Sequence, residues 1–281
     1  MPDPARLLTM LRAATQAFRD TPGRRGRTVA MNEAAEVFAT GDLHGNVENL
    51  RLILAKADLR NHPGRHLVLQ EVVHGPFRYP DGSDKSHQLL DLLAALKCQH
   101  PHQVHFLPGN HELAQAMNRL IGKGDIDQNE LFRAGVRGAY APRDDEIYAA
   151  YLDLLAVAPL ALRTPNRVFL SHSLPSAKHL PKFDLALLER DEMEEADLEY
   201  GGVVHSLVWG RDLSGANAAA YLQKVDADLL ITGHIPCDQG FAVPNDCQLI
   251  LDSLGAPACY CLFPTDRPLI QGELVDCVGV L

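Results

Sequence analysis

Apolar positions fall into two rhythms along the chain. The runs EVFATGD (36–42), HLVLQE (66–71), VHFLPGN (104–110), RVFLSH (167–172) and DLLITGH (228–234) are short, nearly continuous in apolar residues, and close on glycine or a polar side chain. That pattern predicts strands buried on both faces. Between them, NLRLILAKADL and HQLLDLLAALK repeat leucine at intervals of three and four, which predicts helices. Strands alternating with helices predict an α/β fold. The opening ARLLTMLRAATQAF reads as an amphipathic helix and TPGRRGR (21–27) as a basic, solvated turn, so residues 1–30 precede the first long strand. No strand pattern stands out in residues 113–165, which predicts a helical insertion. Residues 184–199 are strongly acidic and read as a solvated loop or helix. From Gln248 onward, LILDSLG, ACYCLF and the closing LVDCVGVL predict strands in a meander. Repeats and low-complexity tracts are absent, so residues 1–281 read as a single domain.

Composition narrows the partners. The formal net charge of −10 argues against a nucleic-acid partner, though it leaves room for a local basic site. The six cysteines form no CxxC pair and no disulfide-framework spacing, which reads as reduced thiols in a cytoplasmic protein. Arg6, Arg12 and Arg19 interrupt the N-terminal apolar positions, so that segment does not read as a signal peptide. No window reaches the roughly 18 apolar residues of a membrane span, so no membrane partner is expected.

The candidate chemistry lies where the strands stop. Asp42 with His44, Glu71, Asn110 with His111, His172 and His234 end or directly follow the five runs. Carboxyl ends of strands are where α/β sheets place ligands, so five such ends can converge. A single histidine after a strand is ordinarily structural; five successive ends carrying carboxylate, imidazole or amide are a constellation. The donor mix suits Mn, Fe or Zn rather than a thiolate zinc site or a calcium cage. Glu71 taken alone stays open, either a metal ligand or an acid where a strand meets water.

The blocks GDLHG (41–45), PGNHE (108–112), LSH (170–172) and TGH (232–234) resemble the signature blocks of the calcineurin-like metallophosphoesterases. The likeness is nearest to the branch of serine/threonine protein phosphatases and their bacterial relatives. LVWGRD (207–212) resembles the phosphate-arginine block of that branch, and LILDSLG (249–255) the strand after its last metal histidine. The resemblance implies a β-sandwich flanked by helices. It also implies two divalent metal ions about 3.5–4 Å apart that clamp a phosphoryl group and acidify a water. Mn or Fe comes first for those ions, with Zn as the alternative. By the same resemblance, Asp42 and His44 hold one metal, Asn110, His172 and His234 the other, His111 is the general acid and Arg211 holds phosphate.

The second block departs from the family. Where the family has Gly-Asp, two residues, then Asp-Arg-Gly, this chain has Gln70-Glu71, Val72-Val73, then His74-Gly75-Pro76. The bridging aspartate becomes Glu71, the aspartate that orients the catalytic histidine becomes His74, and the phosphate arginine becomes Gly75. Arg78 is a candidate for the missing guanidinium, and Glu112, Asp81 or Asp84 for orienting His111.

Plainer readings cover other features. QHPHQVH (99–105) reads as the polar approach to a strand, GKGD (122–125) as a turn without phosphate-loop residues, and His205 as either a core histidine or a site neighbour. The functional expectation is a two-metal phosphatase acting on phosphate monoesters, including phosphoserine or phosphothreonine, whose partner is a phosphorylated protein, small molecule or nucleotide. The alternatives are a symmetrical dinucleoside polyphosphate hydrolase and a non-catalytic binding module of the same fold.

Overall fold

The computed structural model describes residues 3–123, 126–190 and 192–281. Its strands are β1 (Arg24–Arg25), β2 (Thr28–Ala30), β3 (Glu36–Asp42), β4 (Arg65–Gln70), β5 (Val104–Leu107), β6 (Gly122–Lys123), β7 (Ile126–Asp127), β8 (Ala161–Arg163), β9 (Val168–Ser171), β10 (Leu229–Thr232), β11 (Phe241–Asn245), β12 (Gln248–Leu251), β13 (Cys259–Pro264) and β14 (Val278–Val280). One sheet runs β14-β13-β3-β4-β5 and a second runs β1-β2-β8-β9-β10-β12-β11. Within the first, β3, β4 and β5 are parallel. Within the second, β9, β10 and β12 are parallel.

The period of two along β3 shows how these sheets become a sandwich. Val37 and Ala39 point into a core shared with Val168, Leu170, Ile231 and Leu249 of the other sheet. Phe38 points the opposite way, into the core beneath the helices, and stacks on Tyr260 with ring centroids 4.3 Å apart. A strand buried on both faces has no polar alternation to show, which is why its sequence is a continuous apolar run.

Helices close both outer faces. On one lie α1 (Pro4–Arg19), α2 (Val47–Ala57), α3 (His87–Gln99), α5 (Gln128–Tyr140) and α6 (Asp144–Val157). α1 starts on Asp3, whose carboxylate accepts the Arg6 amide at 3.0 Å, with Pro4 in the first turn. It buries Leu7, Leu8, Leu11, Ala14 and Phe18, the helical stripe expected from sequence. α8 (Val203–Trp209) and α9 (Gly215–Lys224) pack over the second sheet with Leu174 and Phe183. Two short helices, α4 (Asn110–Ala116) and α7 (Glu195–Leu198), and the terminal α10 (Gln271–Asp276) complete the set.

Several expectations need correction. The 113–165 segment is largely helical but also holds β8, which pairs with β2 and β9. The terminal segments do not form a meander. β12 belongs to the second sheet and β13 and β14 to the first, and the expected strand LVDCVGVL begins as the end of α10. The basic turn at 21–27 carries β1, and Arg24 and Arg27 turn inward. Their guanidinium groups donate to Val157 O at 2.6 Å and Ala158 O at 2.6 Å, capping the C-terminal end of α6. Of the GKGD turn, Gly124 and Asp125 lie outside the described residues.

Candidate metal centre

The two sheets deliver their carboxyl ends to the same rim of the sandwich. Asp42, Glu71 and Asn110 stand at or just past the ends of β3, β4 and β5, while His172 and His234 follow β9 and β10. β4 lies between β3 and β5, so the main chain of Glu71 is fixed from both sides. Its carbonyl accepts from the Leu43 and His44 amides at 2.9 Å each, and its own amide donates to Leu107 O at 3.2 Å. Glu71 is 1% exposed, so it is no solvent-facing strand end.

Its carboxylate faces both sheets. Oε2 is 3.2 Å from His44 Nε2. Oε1 accepts the His111 amide at 2.9 Å and lies 3.6 Å from His172 Nε2. His172 in turn is 3.6 Å from Asp42 Oδ1 through Nδ1, and its Nε2 is 3.4 Å from Asn110 Oδ1 and 3.2 Å from His234 Nδ1. Two donor groups, each drawn within 4.8 Å, result: His44, Glu71 and His111, and Asp42, Glu71 and His172. Glu71 is common to both. His111, expected only as an acid, stands close enough to be counted among the donors.

Backbone conformation at this rim is unusual. His44, Glu71, His74 and His234 all have positive φ, at 41°, 30°, 59° and 69°. For residues with a Cβ this is sparsely populated and costly, and here it aims four ligating-type side chains at one space. Gly109 shows how tight the space is: a Cβ there would stand 2.1 Å from Glu71 Oε1. At Gly75 a Cβ would stand 1.7 Å from His44 O.

Electrostatics favour a cation. Burial, then repulsion from Glu71, raises the Asp42 pKa well above the carboxylate range. Burial also works to raise Glu71, but the imidazoles of His172 and His44 outweigh it and hold the group ionised. Burial lowers His172 below the ordinary imidazole value, and lowers His234 to about 2. His172 Nδ1 and His234 Nε2 are buried without a hydrogen-bond partner. Unsatisfied buried nitrogens beside crowded carboxylates fit divalent metal, which would satisfy both.

The arginine block approaches from the second sheet. The Ser173 amide donates to Leu207 O at 2.7 Å, and the Ser173 hydroxyl donates to Gly210 O, tying the end of α8 to the loop after His172. Asp212 accepts the Ala177 amide at 2.9 Å and the Ser214 amide at 3.0 Å. Arg211, held between these ties, is exposed, and its charge reaches His172 and His234. Among the described residues its guanidinium has no hydrogen bond or ion pair.

The profile of the calcineurin-like phosphoesterase family matches residues 35–238. The chain belongs to that family. Members typically bind two divalent metal ions. The chain is 26% identical over 238 residues to a probable serine/threonine-protein phosphatase of Encephalitozoon cuniculi, covering 79% of this chain and 47% of that one. It is 23% identical over 241 residues to serine/threonine-protein phosphatase 5 of Arabidopsis thaliana, covering 79% and 40%. It thus spans less than half the length of these curated relatives. In fold it is similar to a Saccharomyces cerevisiae protein serine/threonine phosphatase, with TM-score 0.73 at 16% identity over all of this chain and 89% of the other. A cold-active protein-tyrosine phosphatase of Shewanella sp. has TM-score 0.59 at 15% identity, covering 86% and 78%. Among the described residues no helix is long and apolar enough to cross a membrane.

The residues considered for holding phosphate and orienting His111 make other contacts. Arg78 donates to Gln128 at 2.5 Å and pairs with Asp84 at 3.2 Å. Asp81 accepts from Ser83, and Asp84 from the Ser86 amide. Glu112 accepts the Val72, Val73 and Gly109 amides at 2.7, 2.9 and 2.8 Å, clamping the loop after Glu71 to α4. What stands beside His111 is His74 itself, Nδ1 to Nδ1 at 3.1 Å. His205 packs between Tyr200 and Trp209.

Proposed function

We propose that this phosphoesterase is a two-metal phosphatase that hydrolyses phosphate monoesters, phosphoserine and phosphothreonine among them. The observation that carries the reading is the placement of Glu71, one buried carboxylate lying between His44 of one strand end and His172 of another. Two cations held close together repel unless an anion lies between them, and Glu71 would supply that anion. Asp42 and His44 would hold one ion, and Asn110, His172 and His234 the other, with Glu71 shared. Manganese or iron suits this oxygen–nitrogen set first, zinc second. When bound, the ions supply positive charge to the phosphoryl oxygens and acidify the attacking water.

The chain's own groups supply the rest. Arg211, exposed at the rim and without a partner among the described residues, would take phosphate oxygens in its planar fork of donors. His111 would donate a proton to the leaving oxygen from the ring nitrogen that faces away from His74.

The test is metal analysis of purified protein, joined to Mn-dependent assays on an aryl phosphate, a phosphoserine peptide and a symmetrical dinucleoside polyphosphate. Two equivalents of metal with turnover of the first two substrates is the expected result. Turnover of the dinucleotide alone would overturn the monoester reading, and metal-loaded protein without turnover would leave a binding module. Glu71→Gln keeps the size and removes the charge; it should lose one equivalent of metal and at least about 100-fold in kcat. Wild-type metal content in that variant would show that Glu71 is not a ligand. Arg211→Ala should raise KM as well as lower kcat, because ground state and transition state both carry the phosphate.

A further inference from the structure

We infer that a cavity on the far side of α4 from the metal centre binds a free long-chain carboxylate, with the hydrocarbon chain on an apolar floor and the head group at Arg19 and Arg25. Nothing in this site depends on the phosphatase reading. α4 has two faces. His111 and Gln115, four residues apart, meet His74. Leu113 and Met117, also four apart, fall on the opposite face and line a cavity of about 1040 Å³. That volume is at the upper end of the roughly 300–1,000 Å³ of small-molecule sites. The floor is apolar and buried, with Leu155 of α6, Leu160 beyond it, and Val204 and Val208 of α8. Gly109 closes it on the inner side, where a Cβ would stand 2.1 Å from Glu71 Oε1. Main chain therefore stands between the cavity and that carboxylate.

The walls are tied to one another. The Arg27 amide donates to Leu188 O at 2.6 Å, and the Leu160 amide donates to Arg27 O at 2.7 Å. These bonds join the turn after β1 to the end of α6 on one side and to the lip bearing Met193 and Leu198 on the other. On that lip Arg190 pairs with Glu194 and Asp197. Arg24 and Arg27 direct their guanidinium groups to the α6 carbonyls, which leaves Arg19 and Arg25 for a ligand. Both are exposed at the mouth, and among the described residues neither guanidinium has a hydrogen bond or ion pair. Glu189 and Glu192 also stand there, so with Arg24 and Arg27 counted, four arginines stand against two glutamates. That local excess of positive charge sits in a chain whose net charge is −10. An apolar floor below a cationic mouth complements one hydrocarbon chain with an anionic head. Because buried side chains enclose the floor, a chain must leave any bilayer to enter, so the occupant is the free molecule.

Calorimetric titration of the purified chain with sodium octanoate, decanoate and dodecanoate, each below its micelle concentration, tests the site. One equivalent should bind, with affinity rising by up to about fourfold per added methylene. Dodecyltrimethylammonium should bind about 10-fold more weakly than dodecanoate. Arg19→Glu combined with Arg25→Glu, both on the surface, should weaken dodecanoate by about 10-fold. Met193→Trp, which fills the cavity from its lip, should weaken it by about 10-fold or more. If that variant fails to fold, as its melting curve would show, the arginine pair still decides. In sedimentation with phosphatidylglycerol vesicles the protein should stay in the supernatant. No saturable binding, several equivalents bound, equal affinity for the ammonium, or wild-type affinity in the arginine variant would overturn the site. Recruitment to the vesicles would overturn the free carboxylate as its occupant.

Discussion

Two histidine pairs in this molecule share nearly the same contact and lie in different surroundings. His66 and His105 face each other across β4 and β5, Nδ1 to Nε2 at 2.9 Å, with rings stacked at 12°. His74 and His111 meet at 3.1 Å with rings at 69°. Burial lowers the pKa in both pairs, to about 4 in both His66 and His74. The first pair is sealed beside the buried Lys97, whose ammonium donates to Thr21 Oγ1, Pro101 O and Val104 O. The second opens at one end on a glutamate between two more imidazoles and at the other on Gln115 and Tyr148. Contact distance and pKa do not separate structure from chemistry here. What separates them is what each pair faces: Lys97 and backbone carbonyls for the first, the candidate metal ligands for the second.

The comparison breaks most sharply at His111. His111→Asn should cut kcat on poor leaving groups by about 10²–10⁴-fold while metal content and melting temperature stay near wild type. A collapse of metal content together with activity would make His111 a ligand, as its place among the donors of His44 and Glu71 allows. The sealed pair should answer in reverse. His105→Leu leaves His66 Nδ1 buried without its partner, so stability should fall by about 1–3 kcal/mol in denaturant unfolding, with kcat per folded chain unchanged. An activity loss beyond the loss of folded protein would erase the distinction.

A further difference is in the acid limb of stability. The folded pKa of His66 lies near 4 and that of His105 well below the ordinary value of 6.5, burial first and the Lys97 charge second. Between those values and 6.5 the unfolded chain binds more protons than the folded one. The stability is therefore complete above pH 6.5 and is lost as pH falls toward 4, by about 1.4 kcal/mol per histidine per unit. Replacing both residues by phenylalanine should flatten that slope in melting curves from pH 7.5 to 5. An unchanged slope would place the acid sensitivity elsewhere.

Sequence made the strand ends legible because each carries its chemistry locally. Asp42, Glu71, Asn110, His172 and His234 all follow apolar runs, and a run buried on both faces is hard to mistake. The neighbours of His74 were harder to read. Gln115 had one signal, its spacing of four from His111, which puts the two on the same face of α4. Tyr148 had none, because its contact with Gln115 depends on where α6 lies. The same limit explains the strands that were missed. β8 has three residues, too few to show a period. The meander assumed that consecutive strands are neighbours, whereas the chain leaves β12 in one sheet and resumes with β13 in the other. Which sheet a strand joins is settled by packing across the sandwich. Arg24 and Arg27 likewise look like a solvated cluster until the carbonyls of α6 arrive.

Gly75 sets a limit on what its position can hold. A Cβ there would lie 1.7 Å from the carbonyl oxygen of His44, so the turn bearing His44 has closed over the space a side chain would need. Placing arginine there is not a simple substitution, because any side chain must first displace the backbone that presents a candidate metal ligand. The glycine is locked in by its surroundings: replacing it requires concerted change in two loops, the first step of which disturbs the candidate site. Laboratory selection for a guanidinium at this rim should therefore find it at another position before residue 75.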